Sequence, residues 1–194
     1  MKKIFFQNLE LVVFDSVYEP SEDSFLLANS LPKISGKTVL DLGCGTGIQG
    51  INASQKGAKS ILSVDVNKKA LENVLENCKN LGIKNISVRE SNLFEQIREK
   101  FDIIVFNPPY LPSEEIEVPE LDGGKDGIEL TEKFISQAGK HLNSKGICFL
   151  LVSSLNDFSK VEKLINQAGF KFEILGQEKF FFEELRIYKF SKAL

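Results

Sequence analysis

Between residues 38 and 190, short apolar runs alternate with longer stretches in which apolar residues recur every three or four positions. The runs at 38–42, 60–66, 86–88, 101–106, 146–153, 170–175 and 185–190 are too short for helices and rich in β-branched and aromatic residues, so they predict seven strands. Between them the periodicity predicts four helices. One follows the glycines at 43–47 and ends at Gly57. A second is capped by Asn67, carries Ala70, Leu71, Val74, Leu75 and Cys78 on its apolar face, and closes at Gly82. The third and fourth span 129–142 and 157–168. Upstream, residues 4–14 read as a small hairpin or one irregular strand, and Ser21 reads as the cap of a helix with Glu22 and Asp23 in its first turn.

Such alternation predicts a three-layer α/β/α sandwich around a mostly parallel seven-stranded sheet with right-handed crossovers. The last two strands follow one another without a helix between, so the final strand is expected to run antiparallel. At 194 residues the chain suits one domain over 1–194, with residues 1–35 as an N-terminal hairpin and helix extension.

The fourth strand ends abruptly in Asn107-Pro108-Pro109-Tyr110. Each proline removes a backbone donor and keeps its predecessor out of the helical region, so Asn107 and Pro108 are held extended. The strand end then offers acceptors: the Asn107 side-chain carbonyl and the backbone carbonyls of Asn107 and Pro108. Acceptors so placed suit a planar NH2 group, against which Tyr110 would lie as a wall. The plainer reading is a strand terminator followed by a turn.

In open parallel sheets ligands bind beyond the carboxyl ends of the strands, where strand order reverses. Asp41 with Gly43, Gly45 and Gly47, then Asp65, Asn92 with Leu93, and Asn107 all fall there. The glycines permit close backbone approach to a ligand, and Asp65 is placed to accept from ribose hydroxyls. Residues 45–50 also match the dinucleotide pattern G-x-G-x-x-G, which admits a nicotinamide-dependent hydride transfer. Asp41 opposes that alternative, because a carboxylate before the turn repels pyrophosphate and suits an ammonium. S-adenosylmethionine fits both features better.

Composition narrows the classes. No stretch approaches the roughly 20 apolar residues of a membrane span, and residues 1–10 lack the apolar core of a signal peptide. Cys44, Cys78 and Cys148 are odd in number and without metal-ligand spacing, which points to reduced thiols in a cytoplasm and to no metal site. His141, the only histidine, falls in the last turn of a predicted helix and is read as structural. Net charge is −3, with no basic run that would favour a phosphate backbone. The 111–128 connection is polar and turn-rich, and a connection of that length is often functional. Residues 110–130 carry seven acids, Glu114, Glu115, Glu117, Glu120, Asp122, Asp126 and Glu129, against Lys125 alone, so a protein acceptor is favoured over DNA or RNA.

The motif Asp41-Leu42-Gly43-Cys44-Gly45-Thr46-Gly47 together with Asn107-Pro108-Pro109-Tyr110 resembles the class I S-adenosylmethionine methyltransferases that modify exocyclic or amide nitrogens. Residues 18–25, Tyr-Glu-Pro-Ser-Glu-Asp-Ser-Phe, and residues 121–127, Leu-Asp-Gly-Gly-Lys-Asp-Gly, resemble the release-factor glutamine methyltransferases, in the short archaeal and eukaryotic HemK-like branch without the bacterial N-terminal helical domain. That resemblance spans roughly residues 17–190. It implies a Rossmann-like fold and cofactor contacts at Ser24, Asp41, Gly43, Gly45, Gly47, Asp65, Asn92, Leu93 and Asn107. It also implies catalysis at Asn107, Pro108, Pro109 and Tyr110, with acceptor contacts at Asn107, Pro108 and Tyr110. Asn92 departs from the aspartate usual in the family, which implies weaker cofactor affinity. The implied substrate is the glutamine of a release factor's Gly-Gly-Gln segment, and the implied partner is a small zinc-containing activator subunit. The Phe-rich residues 180–182 would serve that partner or form a hairpin. A methyltransferase acting on adenine N6 or guanine N2 uses the same four-residue motif and is the alternative.

Overall fold

The structure, a computed structural model, describes residues 1–111 and 127–193. Its elements in chain order are β1 (Lys2–Phe6), β2 (Leu9–Val13), α1 (Glu22–Ser30), β3 (Thr38–Leu42), α2 (Ile48–Gln55), β4 (Ser60–Asp65), α3 (Lys68–Leu81), β5 (Ile86–Glu90), β6 (Phe101–Phe106), α4 (Glu129–His141), β7 (Leu142–Ser153), α5 (Phe158–Gln167), β8 (Phe170–Lys179) and β9 (Glu184–Lys192). The expected connection over 111–128 falls almost wholly outside the described residues. So do the acids Glu114, Glu115, Glu117, Glu120, Asp122 and Asp126.

Seven strands form one sheet in the order β5-β4-β3-β6-β7-β9-β8. All are parallel except β9, which runs antiparallel to both of its neighbours, as the missing final helix required. Alternate residues of each buried strand feed two cores. Ile104 and Phe106 of β6 pack with Phe134 and Ile135 of α4 and with Val161 and Ile165 of α5. Ile103 and Val105 pack with Leu27 of α1 and Ala53 of α2 on the opposite face. Sheet order reverses between β3 and β6, whose last residues Leu42 and Phe106 sit opposite each other. Gly43 and Asn107 therefore leave the sheet side by side, although 64 positions separate them in the chain.

The small hairpin is present as β1 and β2, with Gln7 in the left-handed region at its tip. It docks on α3 in a way the apolar periodicity does not foresee. Leu75, expected on the buried face, is exposed, while Asn73 and Asn77 are buried. Each asparagine both accepts from and donates to the backbone of residues 12–14. Asn73 and Asn77 accept from the amides of Phe14 and Val12, and both donate to the Val12 carbonyl, so α3 supplies the partners a neighbouring strand would.

Two further expectations change. Ser21 occupies the cap position of α1 but makes no capping bond; its hydroxyl turns instead to Tyr18 and Asp23. Strand β7 begins at Leu142 rather than Gly146, directly after α4, because buried Leu142 pairs with Phe101. His141 ends α4, stacks on Phe94 at 4.5 Å between ring centroids and lies against the Glu99 carbonyl, in keeping with a structural role. All three cysteines are free and buried.

Candidate active site

A cavity of about 550 Å³ opens at the carboxyl ends of the strands, over the β3/β6 switch point. Its floor is the turn after β3. Gly43, Gly45 and Gly47 all adopt positive φ, which a side chain would resist, and Gly47 caps α2 from the left-handed region. The third glycine of the dinucleotide-like pattern has a packing role: a Cβ on Gly50 would stand 2.8 Å from Ser63 Oγ and 3.0 Å from Asp41 Oδ2.

Ten of the residues singled out from the sequence line the cavity: Ser24, Gly43, Gly45, Asp65, Asn92, Leu93, Asn107, Pro108, Pro109 and Tyr110. Asp41 and Gly47 do not. Asp41 lies beneath the glycine turn, fully buried, where its Oδ2 accepts from the Gly50 amide and the Ser63 hydroxyl. Burial pushes its carboxyl up to about 7, so it is no open counter-charge for an ammonium. The residue that looked like a ligand contact instead braces the turn that makes the contact.

The polar groups that reach the cavity are individually oriented. Asp65 accepts from the Gly45 amide with Oδ2 and from the Asn67 amide with Oδ1, which ties the end of β4 to the glycine turn. Asn92 donates through Nδ2 to Glu95 Oε1 at 3.0 Å, so the amide's oxygen end is turned away from that contact. Leu93 is held at φ 46°, a strained conformation for a branched side chain, with its carbonyl bonded to Ser91 Oγ. Thr46 Oγ1 and Gln49 Oε1, both in the lining, are buried and lack any partner among the described residues.

At the other end, Asn107 donates through Nδ2 to Asp23 Oδ2 at 2.9 Å and to Ser24 Oγ at 3.4 Å. Its Oδ1 is shielded and has no partner among the described residues. The Tyr110 carbonyl accepts from Asn156 Nδ2 at 3.1 Å. Gly127 packs against this pair so closely that a Cβ would fall 2.5 Å from the Tyr110 carbonyl. Burial, and after it the Asp23 charge, push the Tyr110 hydroxyl up, so it stays a neutral phenol. Glu183, from the loop between β8 and β9, also faces the cavity, steadied by Ser153 Oγ at 2.7 Å. Residue reasoning missed Asp23 as a site group, along with Gln49, Asn156 and Glu183. Asp23 looked like an ordinary first-turn acid, and the others carry no local pattern.

A sheet of this order, with a glycine turn and an Asn-Pro-Pro-Tyr strand end flanking its switch point, defines a class I methyltransferase. The chain belongs to the methyltransferase small domain family, whose model matches residues 13–182. It is 42% identical over 187 residues to a putative protein N5-glutamine methyltransferase of Methanocaldococcus jannaschii, covering 93% of this chain and 94% of that one. To a release factor glutamine methyltransferase of Borreliella burgdorferi it is 31% identical over 179 residues, covering 82% of this chain and 63% of that protein. Among solved structures it resembles the E. cuniculi Mtq2-Trm112 complex responsible for methylation of the eRF1 translation termination factor, with a TM-score of 0.75 and 29% identity over 92% of this chain and 99% of that one. Among the described residues no helix is long and apolar enough to cross a membrane, and no cluster of His, Cys, Asp or Glu is arranged to hold a metal.

Proposed function

We propose that this chain methylates the side-chain amide nitrogen of a protein glutamine, the glutamine of a Gly-Gly-Gln segment in a translation release factor, with S-adenosylmethionine as donor. The observation that carries this reading is Asn107: it lines the cavity on a proline-locked strand end next to a glycine turn, and among the described residues its shielded Oδ1 has no partner. An orphaned buried acceptor costs about 1–3 kcal/mol, which an incoming NH2 donor would return.

The cavity suits the donor. Its size is appropriate to a nucleoside-bearing ligand, and Thr46 Oγ1 and Gln49 Oε1 leave polar atoms for it to satisfy. Ser24, Gly43, Gly45, Asp65, Asn92 and Leu93 would hold it, with Asp41 and Gly47 supporting from beneath. When bound it supplies an electrophilic methyl group. Everything else falls to the chain. A glutamine nitrogen is a weak nucleophile because its lone pair is delocalised into the carbonyl. Asn107 Oδ1 and the Pro108 carbonyl would receive its two hydrogens, keep electron density on nitrogen and fix its direction of attack. Pro109 keeps that backbone extended, and Tyr110 walls the amide. Orientation of this kind supplies on the order of 7 kcal/mol.

Residues 1–194 are read as one methyltransferase domain whose first 35 residues brace the site through Tyr18, Asp23 and Ser24. The partner we propose is a small zinc-containing activator subunit; among the described residues the sheet ends at β5 and β8, and either edge could take an added strand. Three buried reduced thiols support a cytoplasmic setting.

The test is incubation with methyl-labelled donor and either a release factor bearing Gly-Gly-Gln or duplex DNA, with and without co-expressed activator. Label should appear on the glutamine. Label on adenine N6 or guanine N2 would replace this reading with the nucleic-acid alternative. Asn107→Ala should lower kcat by on the order of 100-fold or more while calorimetry shows donor binding retained; near wild-type turnover would remove Asn107 from the mechanism.

A further inference from the structure

An asparagine amide has two ends of opposite hydrogen-bonding sense, and only one of them can receive an NH2 donor. Which end Asn107 presents is therefore decisive, and nothing in Asn-Pro-Pro-Tyr itself decides it. The decision comes from α1, 83 and 84 positions earlier in the chain. Asp23 is buried, and its two carboxylate oxygens have different duties. Oδ1 accepts from Tyr18 Oη, Ser21 Oγ and the Ser24 amide, which organises the start of α1. Oδ2 accepts from Asn107 Nδ2 at 2.9 Å, and Ser24 Oγ lies 3.4 Å from the same nitrogen. Turning the amide over would set Asn107 Oδ1 against the Asp23 carboxylate, acceptor against acceptor.

We propose that Asp23 is a positioning residue that holds the Asn107 amide with its oxygen end as the free acceptor. This rests on the reading of Asn107 as the group that receives the acceptor NH2. The division of labour makes the claim separable from a merely structural one. Asp23→Asn keeps an oxygen for Tyr18, Ser21 and Ser24 but puts an NH2 where Oδ2 was. Donor then meets donor, and Asn107 must turn over, presenting its nitrogen to the substrate. Asn107→Asp alone sets two carboxylates against each other. The reciprocal pair Asp23→Asn with Asn107→Asp restores a donor at 23 facing an acceptor at 107, and leaves a second oxygen free for the acceptor NH2.

The experiment is a double-variant cycle on the full chain with a Gly-Gly-Gln release factor, reading kcat, acceptor KM, donor Kd and melting temperature, together with the 15N-labelled side-chain amide of Asn107. The expected result for Asp23→Asn is a kcat lowered about 100-fold with donor Kd within about threefold and melting unchanged. The double variant should regain at least about tenfold of that loss. The Asn107 NH2 signal should be strongly deshielded and protected from exchange in the wild type, and both features should vanish in Asp23→Asn. Wild-type kcat in Asp23→Asn, no recovery in the double variant, or an unmoved Asn107 signal would each overturn the proposal, as would a loss wholly explained by lost donor binding or melting. The amide signal needs no substrate. If it behaves as stated while the wild type leaves Gly-Gly-Gln unlabelled, the glutamine reading fails and the positioning role stands.

Discussion

At the scale of single residues, the side chains that look alike in sequence are separated by burial. Asp23 in the first turn of α1, Asp41 one residue before the end of β3 and Asp65 at the end of β4 all lie near the cavity, yet Asp23 and Asp65 line it while Asp41 props the turn from below. Asp41 carries a measurable signature. Its carboxyl moves from 3.8 to about 7 on folding, chiefly by burial, opposed by its bonds to Gly50 and Ser63. The folded chain therefore retains a proton that the unfolded chain has already released. By linkage the stability from this group is fully present below the unfolded value and is lost as pH rises through the folded one. The full effect is on the order of 4 kcal/mol. Asp41→Asn has no such titration, so its melting temperature relative to the wild type should climb between about pH 4 and pH 7 and level off above. A constant or falling difference would show that the carboxyl is not displaced upward.

At the scale of elements, α3 illustrates how an amphipathic pattern misleads. Its period was legible, and so were the Asn67 cap, which accepts from the Lys69 amide, and the left-handed Gly82 that ends it. Ala70, Val74 and Cys78 of the expected face are buried, but Leu75 is exposed and two further buried positions are asparagines, which read as solvent-facing by composition. The hairpin backbone, and for Asn77 also the Thr46 carbonyl, explains them. Asn77 bonds the Val12 amide and carbonyl and also the Thr46 carbonyl, thereby joining hairpin, helix and glycine turn. Asn77→Ala should cost about 1–3 kcal/mol in denaturant unfolding. It should also selectively expose the Val12 amide to hydrogen exchange, ahead of the sheet amides. Uniform exchange across the molecule would mean the asparagine does not tether the hairpin.

At the scale of the molecule, the site depends on the core behind it. Phe106 ends β6 immediately before Asn107, and its ring packs at 4.9 Å on Phe134 of α4, which also meets Phe94 and Phe190. Phe134 is fully buried. Phe134→Ala should cost about 3–5 kcal/mol by global unfolding, and because the cluster backs the strand that carries Asn107, kcat should fall as well. A variant that loses the stability but retains full kcat would show that the strand end is rigid without its aromatic support.

The strands, their sequence of alternation, the glycine turn and the proline-stopped fourth strand were legible because each is a local property: periodicity, glycine conformation and the missing proline amide act within a few residues. The same holds for the antiparallel last strand, which follows from the absence of a connecting helix. The gathering of the glycine turn, Asp65, Asn92 and Asn107 at the carboxyl ends of the strands was legible too, because the parallel α/β topology dictates it; what lay beyond the sequence is which side chain faces which partner. Tertiary structure alone sent Asp41 under the floor rather than into the cavity, and brought Asp23 and Glu183 to the site. The reason is physical. Which oxygen faces a ligand and which faces a neighbour depends on strand register and on the partners a buried polar group must find, and those partners are supplied from across the sheet.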